Sequence, residues 1–382
     1  MKDPVKVLLV AINGYGHYYL KTLLEETRCE EAVLTGVVDP EAEKSKYYKT
    51  LKEFCIPVCS GITDFYLGGG KADLAVIASP PHFHVSQSIV ALHHGTNVLC
   101  EKPVSGQLGE VEMLISKSEK SKKFVMAGYQ WSYSEGIRKL KNDIISGRFG
   151  KPVRMKSLCL WPRDFAYFSR NRWAYRKKDP DGNVIMDNLF NNAMAHFIHN
   201  MLYLLGGSMD SSARAAGVEA RVAKAYQVET YDTGAIHAVT NSGTELLFLG
   251  SHATEKKIDP CFRIEFERGF AELKPGAVTI TARTTDREEW NYPSPDSDHQ
   301  FRKLFRAIEN AAGKNDLICP VEAALPHAKM VDEIEKLEGN AKSFPEESLT
   351  RTNERLYVNG LDDLFLNCYK GFNLPGNLLS IR

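Results

Sequence analysis

Over its first third the chain repeats one pattern: a short unbroken apolar run, an amphipathic stretch, another apolar run. Val5 to Ile12 precedes a segment carrying Leu20, Leu23 and Leu24, and Leu34 to Val38 precedes one that ends near Phe54. The pattern resumes at Leu74-Ala75-Val76-Ile77-Ala78. A helix is predicted from about His84 to His94, then the run Val98-Leu99-Cys100, a helix from Gly109 to Ser121, and the run Phe124-Val125-Met126-Ala127. Strands apolar on both faces have no side to offer water, so they belong in a parallel sheet covered above and below by the helices between them.

After Gly128 the grammar changes. Residues 153 to 161 alternate like a half-exposed strand, as do Gly234 to Val239, Glu245 to Leu249, Phe262 to Phe266 and Ala271 to Lys274, which predicts a mostly antiparallel sheet. A helix is expected from about Asn191 to Leu205, ending at Gly206-Gly207, and two more over Phe301 to Ala312 and Val321 to Leu337. At 382 residues the chain is long enough for two cores. The expected organisation is α/β throughout: a parallel-sheet domain over 1–128 and, over 129–382, an α/β domain with a large, mostly antiparallel open sheet.

Charge and cysteine usage narrow the function. Lys plus Arg (48) balances Asp plus Glu (48), so no net field recruits nucleic acid or an anionic membrane. The run after Met1-Lys2 is cut at Asn13-Gly14, too early for a signal peptide, and no apolar stretch reaches the roughly 18 residues a spanning helix needs. Cys29, Cys55, Cys59, Cys100, Cys159, Cys261, Cys319 and Cys368 are scattered without a Cys-x-x-Cys pair, which reads as reduced cytoplasmic thiols and no structural metal.

Between the first run and the first helix stand Ile12, Gly14, Tyr15 and Gly16. Gly14 can make the tight turn and Gly16 can let the backbone approach a pyrophosphate, which the amino terminus of the following helix would hold. The third position of the fingerprint, read this way, is Tyr19 rather than a small residue, so an ordinary strand-to-helix turn remains an equal reading. Asp39 ends the second run. It is placed to accept hydrogen bonds from a ribose 2′-hydroxyl and to repel a 2′-phosphate, favouring NAD over NADP, or simply to cap the next helix ahead of Pro40. Lys102, in Glu101-Lys102-Pro103, ends the strand run that starts at Asn97, where open α/β sheets bind their ligands.

Gly14-x-Gly16, Asp39, Ser79-Pro80-Pro81-His82-Phe83-His84 and Glu101-Lys102-Pro103, in this order and spacing, resemble the glucose-fructose oxidoreductase, inositol dehydrogenase and rhizopine-catabolism (Gfo/Idh/MocA) family. The likeness continues through Gly128-Tyr129-Gln130, Ser146 to Gly150, the Asn192 to Gly206 region and Pro320-Val321-Glu322-Ala323-Ala324. It implies a Rossmann domain binding NAD, a second domain built on an open sheet, and a homodimer or homotetramer formed through that sheet. It places Ser79, His84, Glu101 and Lys102 on the cofactor side.

The resemblance also implies that Lys102 works with a histidine and an aspartate four residues apart on a helix. His196 matches the histidine, and Asn192 stands where the aspartate is usual; alone, His196 would read as a packed core residue. Asn192 can orient a hydroxyl but carries no charge to hold Lys102 protonated, a role open to Asp187 or Glu101. The expected chemistry is hydride transfer between nicotinamide and a secondary alcohol or ketone, with His196 exchanging the hydroxyl proton and Lys102 stabilising the alkoxide. Trp131, Trp161, Arg163 and Trp173, with Tyr167, Arg170, Arg172 and Tyr175, suit a sugar, cyclitol or sugar acid, or form an exposed basic loop with buried aromatic anchors. Two further functions stay open: a glycosidase that uses bound NAD for transient oxidation, and a redox-inactive regulator that binds nucleotide and a protein partner.

Overall fold

The computed structural model describes residues 3–381, so Met1 and Lys2 lie outside the described residues. The chain forms two compact units, one made of the residues up to Tyr133 together with His299–Leu325, the other of Ser134–Asp298 and the residues from Pro326 onward.

In the first unit six strands, β1 (Val5–Val10), β2 (Ala32–Val38), β3 (Val58–Cys59), β4 (Leu74–Ile77), β5 (Asn97–Cys100) and β6 (Val125–Ala127), form an all-parallel sheet in the order β3-β2-β1-β4-β5-β6. This is the Rossmann order, with its switch point between β1 and β4. The helices are α1 (Gly16–Glu25), α2 (Tyr48–Glu53), α3 (Ile62–Leu67), α4 (Pro81–His93) and α5 (Leu108–Ser121). Every residue of β4 and Val98 to Cys100 of β5 are fully buried, as strands without a polar face require. α4 begins three residues before the expected start because Pro81 occupies the first helical position, where its missing N–H costs nothing.

The single boundary expected at 128/129 does not describe this unit. The chain remains with it through the short helix Gln130–Tyr133 and returns after residue 298, when the helix Arg302–Ala311 packs against that short helix. The Ala127 amide then donates to the Cys319 carbonyl at 2.9 Å, extending the edge of β6.

The second unit holds a nine-stranded sheet: β7 (Pro152–Leu160), β8 (Ala215–Lys224), β9 (Thr233–Thr240), β10 (Glu245–Ser251), β11 (Ile258–Phe266), β12 (Gly269–Leu273), β13 (Thr279–Thr284), β14 (Glu289–Pro293) and β15 (Lys342–Ser343). Its order is β14-β13-β12-β11-β7-β10-β9-β8-β15, antiparallel except for the pairs β7–β10 and β8–β15. Helices α6 (Glu135–Ile145), α7 (Phe165–Phe168) and α8 (Ala195–Leu204) belong to this unit. The helix expected from about Asn191 is broken: Leu189–Ala193 form a π-helical turn, Met194 leaves the helical region at φ −100°, and α8 follows. Asn188 starts the turn by accepting from the amides of Phe190 and Asn191 at 3.0 and 2.8 Å. Phe190 fills the space above Gly234, where a Cβ would meet its ring at 2.5 Å.

Candidate active site

The loop after β1 carries the dinucleotide fingerprint in a register three residues earlier than the glycine pair suggests. Ala11 makes the turn, with φ +66°, and a Cβ on Gly16 would meet the Ala11 carbonyl oxygen at 2.0 Å. Gly16 is therefore the residue that lets helix and strand pack closely, not the one that admits a pyrophosphate. Positions 11, 13 and 16 reproduce the fingerprint spacing, with Ala11 and Asn13 where glycine is usual. Gly14 (φ +56°) is an extra left-handed residue between them. Tyr19 is then no defect: it is fully buried, and its hydroxyl donates to Glu101 Oε1 at 2.6 Å.

Asp39 closes the far side of this loop. Its Oδ2 accepts from the amides of Ile12 and Asn13 at 2.9 and 3.2 Å and from Asn13 Nδ2 at 3.1 Å, and its Oδ1 accepts from the Glu41 amide at 2.8 Å. It thus braces the loop and caps the next turn together, while a carboxylate's lone pairs leave Oδ1 capacity for a ribose hydroxyl. The α1 amino terminus has no acidic residue in its first turn, so its free N–H groups meet no competing anion there. A close-packed Gly16, a left-handed Ala11 and an acidic residue at the end of β2 fit a bound NAD.

Glu101, Lys102 and Pro103 follow β5, with a cis peptide between Lys102 and Pro103. Lys102 is partly exposed while both its neighbours are buried. Glu101 does not reach toward a ligand. Its Oε1 takes an ion pair from the fully buried Lys303 as well as the Tyr19 hydroxyl, and its Oε2 accepts from the Lys102 amide at 3.1 Å. Lys303 Nζ also donates to the Gly128 carbonyl at 3.2 Å and the Tyr15 hydroxyl at 3.4 Å. Burial pushes the Glu101 carboxyl up, but Lys303 and the Tyr19 hydroxyl hold it below the ordinary value. Burial likewise lowers Lys303, and Glu101 restores and raises it. Nothing in the local sequence around residue 303 announces this lysine.

His84, expected to line the nicotinamide side, is instead a brace. It is 1 % exposed; Nε2 lies 2.7 Å from the Ser79 carbonyl and Nδ1 2.8 Å from the Pro103 carbonyl, tying the loop after β4 to the one after β5. Burial lowers its pKa against the pull of those carbonyls. Ser79 remains partly exposed, and its hydroxyl donates to Gln87 at 2.6 Å.

In the second unit, along 189–204, only Asn192, Ala193 and His196 keep access to solvent. The π-helical break means that Asn192 and His196 do not share one continuous α-helical face, yet both stay open. Asn192 Nδ2 donates to Oδ1 of the buried Asp187 at 2.6 Å. Asp187 Oδ2 accepts from the Tyr175 amide at 2.6 Å and from Arg170 at 3.4 Å. The negative charge that Asn192 lacks is thus supplied one residue away in space, by a carboxylate five positions earlier in the chain.

The aromatic and basic residues divide between the units. Trp131 is 3 % exposed and belongs to the first, where the chain turns after β6, so it is not part of the second-domain set in which the sequence placed it. Trp161 and Arg163 follow β7 and continue its pairing beside β10: their amides donate to the carbonyls of Ser251 and His252 at 2.9 and 3.1 Å. The Trp161 ring packs edge-on against Phe197 at 5.4 Å, and its Nε1 donates to Asp259 at 3.1 Å. Trp173 is partly exposed, with the Arg170 guanidinium 5.8 Å from its ring.

Comparison with known proteins agrees with this architecture. The model of the oxidoreductase family with an NAD-binding Rossmann fold matches residues 5–129, and the Gfo/Idh/MocA C-terminal domain matches 137–272. A 2,7-anhydro-N-acetylneuraminate hydratase from Mediterraneibacter gnavus is 23 % identical over 58 % of this chain and 56 % of its own length. An inositol 2-dehydrogenase from Rhodococcus jostii is 30 % identical over 39 % of this chain and 40 % of its own. The chain thus spans about half the length, or less, of these curated relatives. The WlbA dehydrogenase of Bordetella pertussis, solved with NADH and UDP-GlcNAcA, shares the fold at a TM-score of 0.71, with 20 % identity over 87 % of this chain and 96 % of that one. Family models match both units, and the Rossmann order and the fingerprint spacing are present in the first; the chain belongs to the Gfo/Idh/MocA oxidoreductase family, whose amino-terminal domain binds NAD.

Proposed function

We propose that the protein is an NAD-dependent oxidoreductase that transfers hydride between nicotinamide and the secondary alcohol or ketone carbon of a sugar, cyclitol or sugar acid. The observation that carries this reading is the pairing of Asn192 with Asp187 beside an accessible His196 in an otherwise buried segment. Bound NAD supplies the hydride acceptor. Ile12 to Gly16, the α1 amino terminus and Asp39 hold the dinucleotide, and the Asp39 charge favours NAD over NADP. In the oxidation direction the His196 imidazole takes the hydroxyl proton, and the Lys102 ammonium hydrogen-bonds the same oxygen as it gains charge. Asn192, polarised by Asp187, orients that hydroxyl. Trp161, Arg163 and Trp173 are the substrate-side candidates. The relatives support the substrate class: one acts on inositol, and one was solved with a nucleotide-linked sugar acid.

The hydratase relative favours a second reading, in which oxidation is transient and NAD is regenerated within each turnover. NADH absorbance and substrate consumption, followed together over a panel of polyols, sugars, sugar acids and nitrophenyl glycosides, separate the two. Net NADH supports the dehydrogenase, and consumption without NADH supports the transient oxidation. NAD binding without either would leave a regulator. Turnover unchanged by Lys102→Ala would overturn the mechanism. We also infer a cytoplasmic homodimer or homotetramer assembled through the nine-stranded sheet; the eight free cysteines support a reducing compartment. Light scattering on the purified chain tests the assembly.

A further inference from the structure

Two guanidinium groups in the second unit share one phenol ring: those of Arg163 and Arg170 lie 4.5 and 4.1 Å from the centre of Tyr167. Their situations differ. Arg170 is anchored, donating to the Tyr167 carbonyl at 2.7 Å and to Asp187 at 3.4 Å. Arg163 lies 5.3 Å from the Trp161 ring as well, forms no ion pair among the described residues, and has a buried Nε that meets no acceptor there. A guanidinium held against aromatic rings still presents its N–H edge, and that planar fork matches the two oxygens of a carboxylate. Asp187 pairs with Arg170, and Asp259, which accepts from Trp161 Nε1, is paired with Lys257 at 2.8 Å, so neither carboxylate is matched to Arg163. The buried His252, which packs on Tyr167 at 5.4 Å, adds no charge: burial favours its neutral ring, and Nδ1, 2.7 Å from the Trp161 carbonyl, which can only accept, carries the proton.

The cluster is tied to the candidate catalytic residues from both ends. Asp187 joins Arg170 to Asn192, and Trp161, which packs against Arg163, meets Phe197 next to His196. We infer that Arg163, steadied by Trp161 and Tyr167 and supported by the anchored Arg170, is a carboxylate-binding residue, and that the substrate is a carboxylated sugar or cyclitol rather than a neutral one. This rests on the dehydrogenase reading above for its chemistry but not for its binding. A neutral hydroxyl can engage one N–H of the fork; only an anion uses the fork and the unbalanced charge together.

The test compares matched pairs that differ in the carboxylate: glucuronate with glucose, galacturonate with galactose, gluconate with sorbitol. Binding is measured by calorimetry on the full chain in the presence of NADH. At least one acid is expected to bind tenfold or more tighter than its neutral partner and to weaken as salt is raised. Arg163→Met should remove that preference by weakening the acids at least tenfold more than their neutral partners, and Arg163→Lys should recover part of it, since an ammonium supplies charge without the fork. Equal binding within every pair, no binding by any acid, or an Arg163→Met protein that keeps the preference overturns the assignment. Turnover in the same panel separates the two readings. Lys102-dependent NADH formation from neutral sugars alone overturns the carboxylate site and leaves the dehydrogenase standing; acid binding without NADH formation or consumption does the reverse.

Discussion

The two units place charge at their candidate sites by different means. In the first, Lys102 follows a strand between two buried residues, and the motif can be read in three letters. In the second, Asn192, four residues before His196, is hydrogen-bonded to the carboxylate of Asp187, which lies just ahead of a π-helical turn. A missing aspartate in a motif therefore did not mean a missing carboxylate. The first unit also hides a long-range contribution: Glu101, inside the legible motif, is held ionised by Lys303, 202 residues later.

The largest expected effect breaks the first side of this contrast. Lys303→Met should leave the Glu101 carboxylate buried without its cation and cost about 3–5 kcal/mol, while adding Glu101→Gln should return much of it. Urea unfolding of the single and double variants checks this, and equal midpoints for wild type and Lys303→Met would remove the buried pair from the account. Next, Lys102→Ala should lower kcat by about 10²–10³, the size of losing one preorganised donor to a developing oxyanion. On the second side, Asp187→Asn should lower kcat by roughly 10- to 100-fold, the worth of a hydrogen bond to a charged group. If Asn192→Asp restores activity in that background, the charge itself is what Asp187 supplies; if it does not, the hydrogen-bond geometry is.

A smaller effect sharpens the contrast by pH. Burial pushes His252 down from its ordinary 6.5 to about 3, with Arg163 and Arg170 adding to the shift; the folded form prefers the neutral ring, so its stabilisation is complete above pH 6.5 and is lost as pH falls toward 3. Burial pushes Asp232 up from 3.8 to about 6, so its contribution runs the other way: present below 3.8 and lost as pH rises through 6. Between pH 7 and 4 the two should nearly cancel, leaving about 1 kcal/mol, whereas Asp232→Asn should expose a loss of roughly 3 kcal/mol on acidification. Urea midpoints at the two pH values measure this, and an unchanged slope in Asp232→Asn would sink the opposition.

Legibility followed burial and locality. All the apolar runs of the first third became strands, because a strand buried on both faces writes its pattern into every residue. In the second unit β7, β9, β10, β11 and β12 were visible, while β8, β13 and β14, nearer the sheet edges, and the two-residue β15 were not; in the first unit the two-residue β3 was missed as well. The glycine fingerprint was found but misregistered: Gly14 and Gly16 look like its first pair, and only the contact of Gly16 with the Ala11 carbonyl shows which residue packs helix on strand. Asp39 caps the turn, the plainer of the two readings open to it, and also braces the loop after β1, a role neither reading included.

The sequence by itself determined the parallel-sheet domain, the position of Lys102 at a strand end, and the family, because these rest on local periodicity and on residue order along the chain. Tertiary structure alone decided that 299–325 rejoin the first unit, that His84 is a brace, that Lys303 neutralises Glu101, and that Asp187 stands behind Asn192. Each of these depends on a buried polar group finding its partner, and a partner is chosen by proximity in the folded chain, which local pattern does not record.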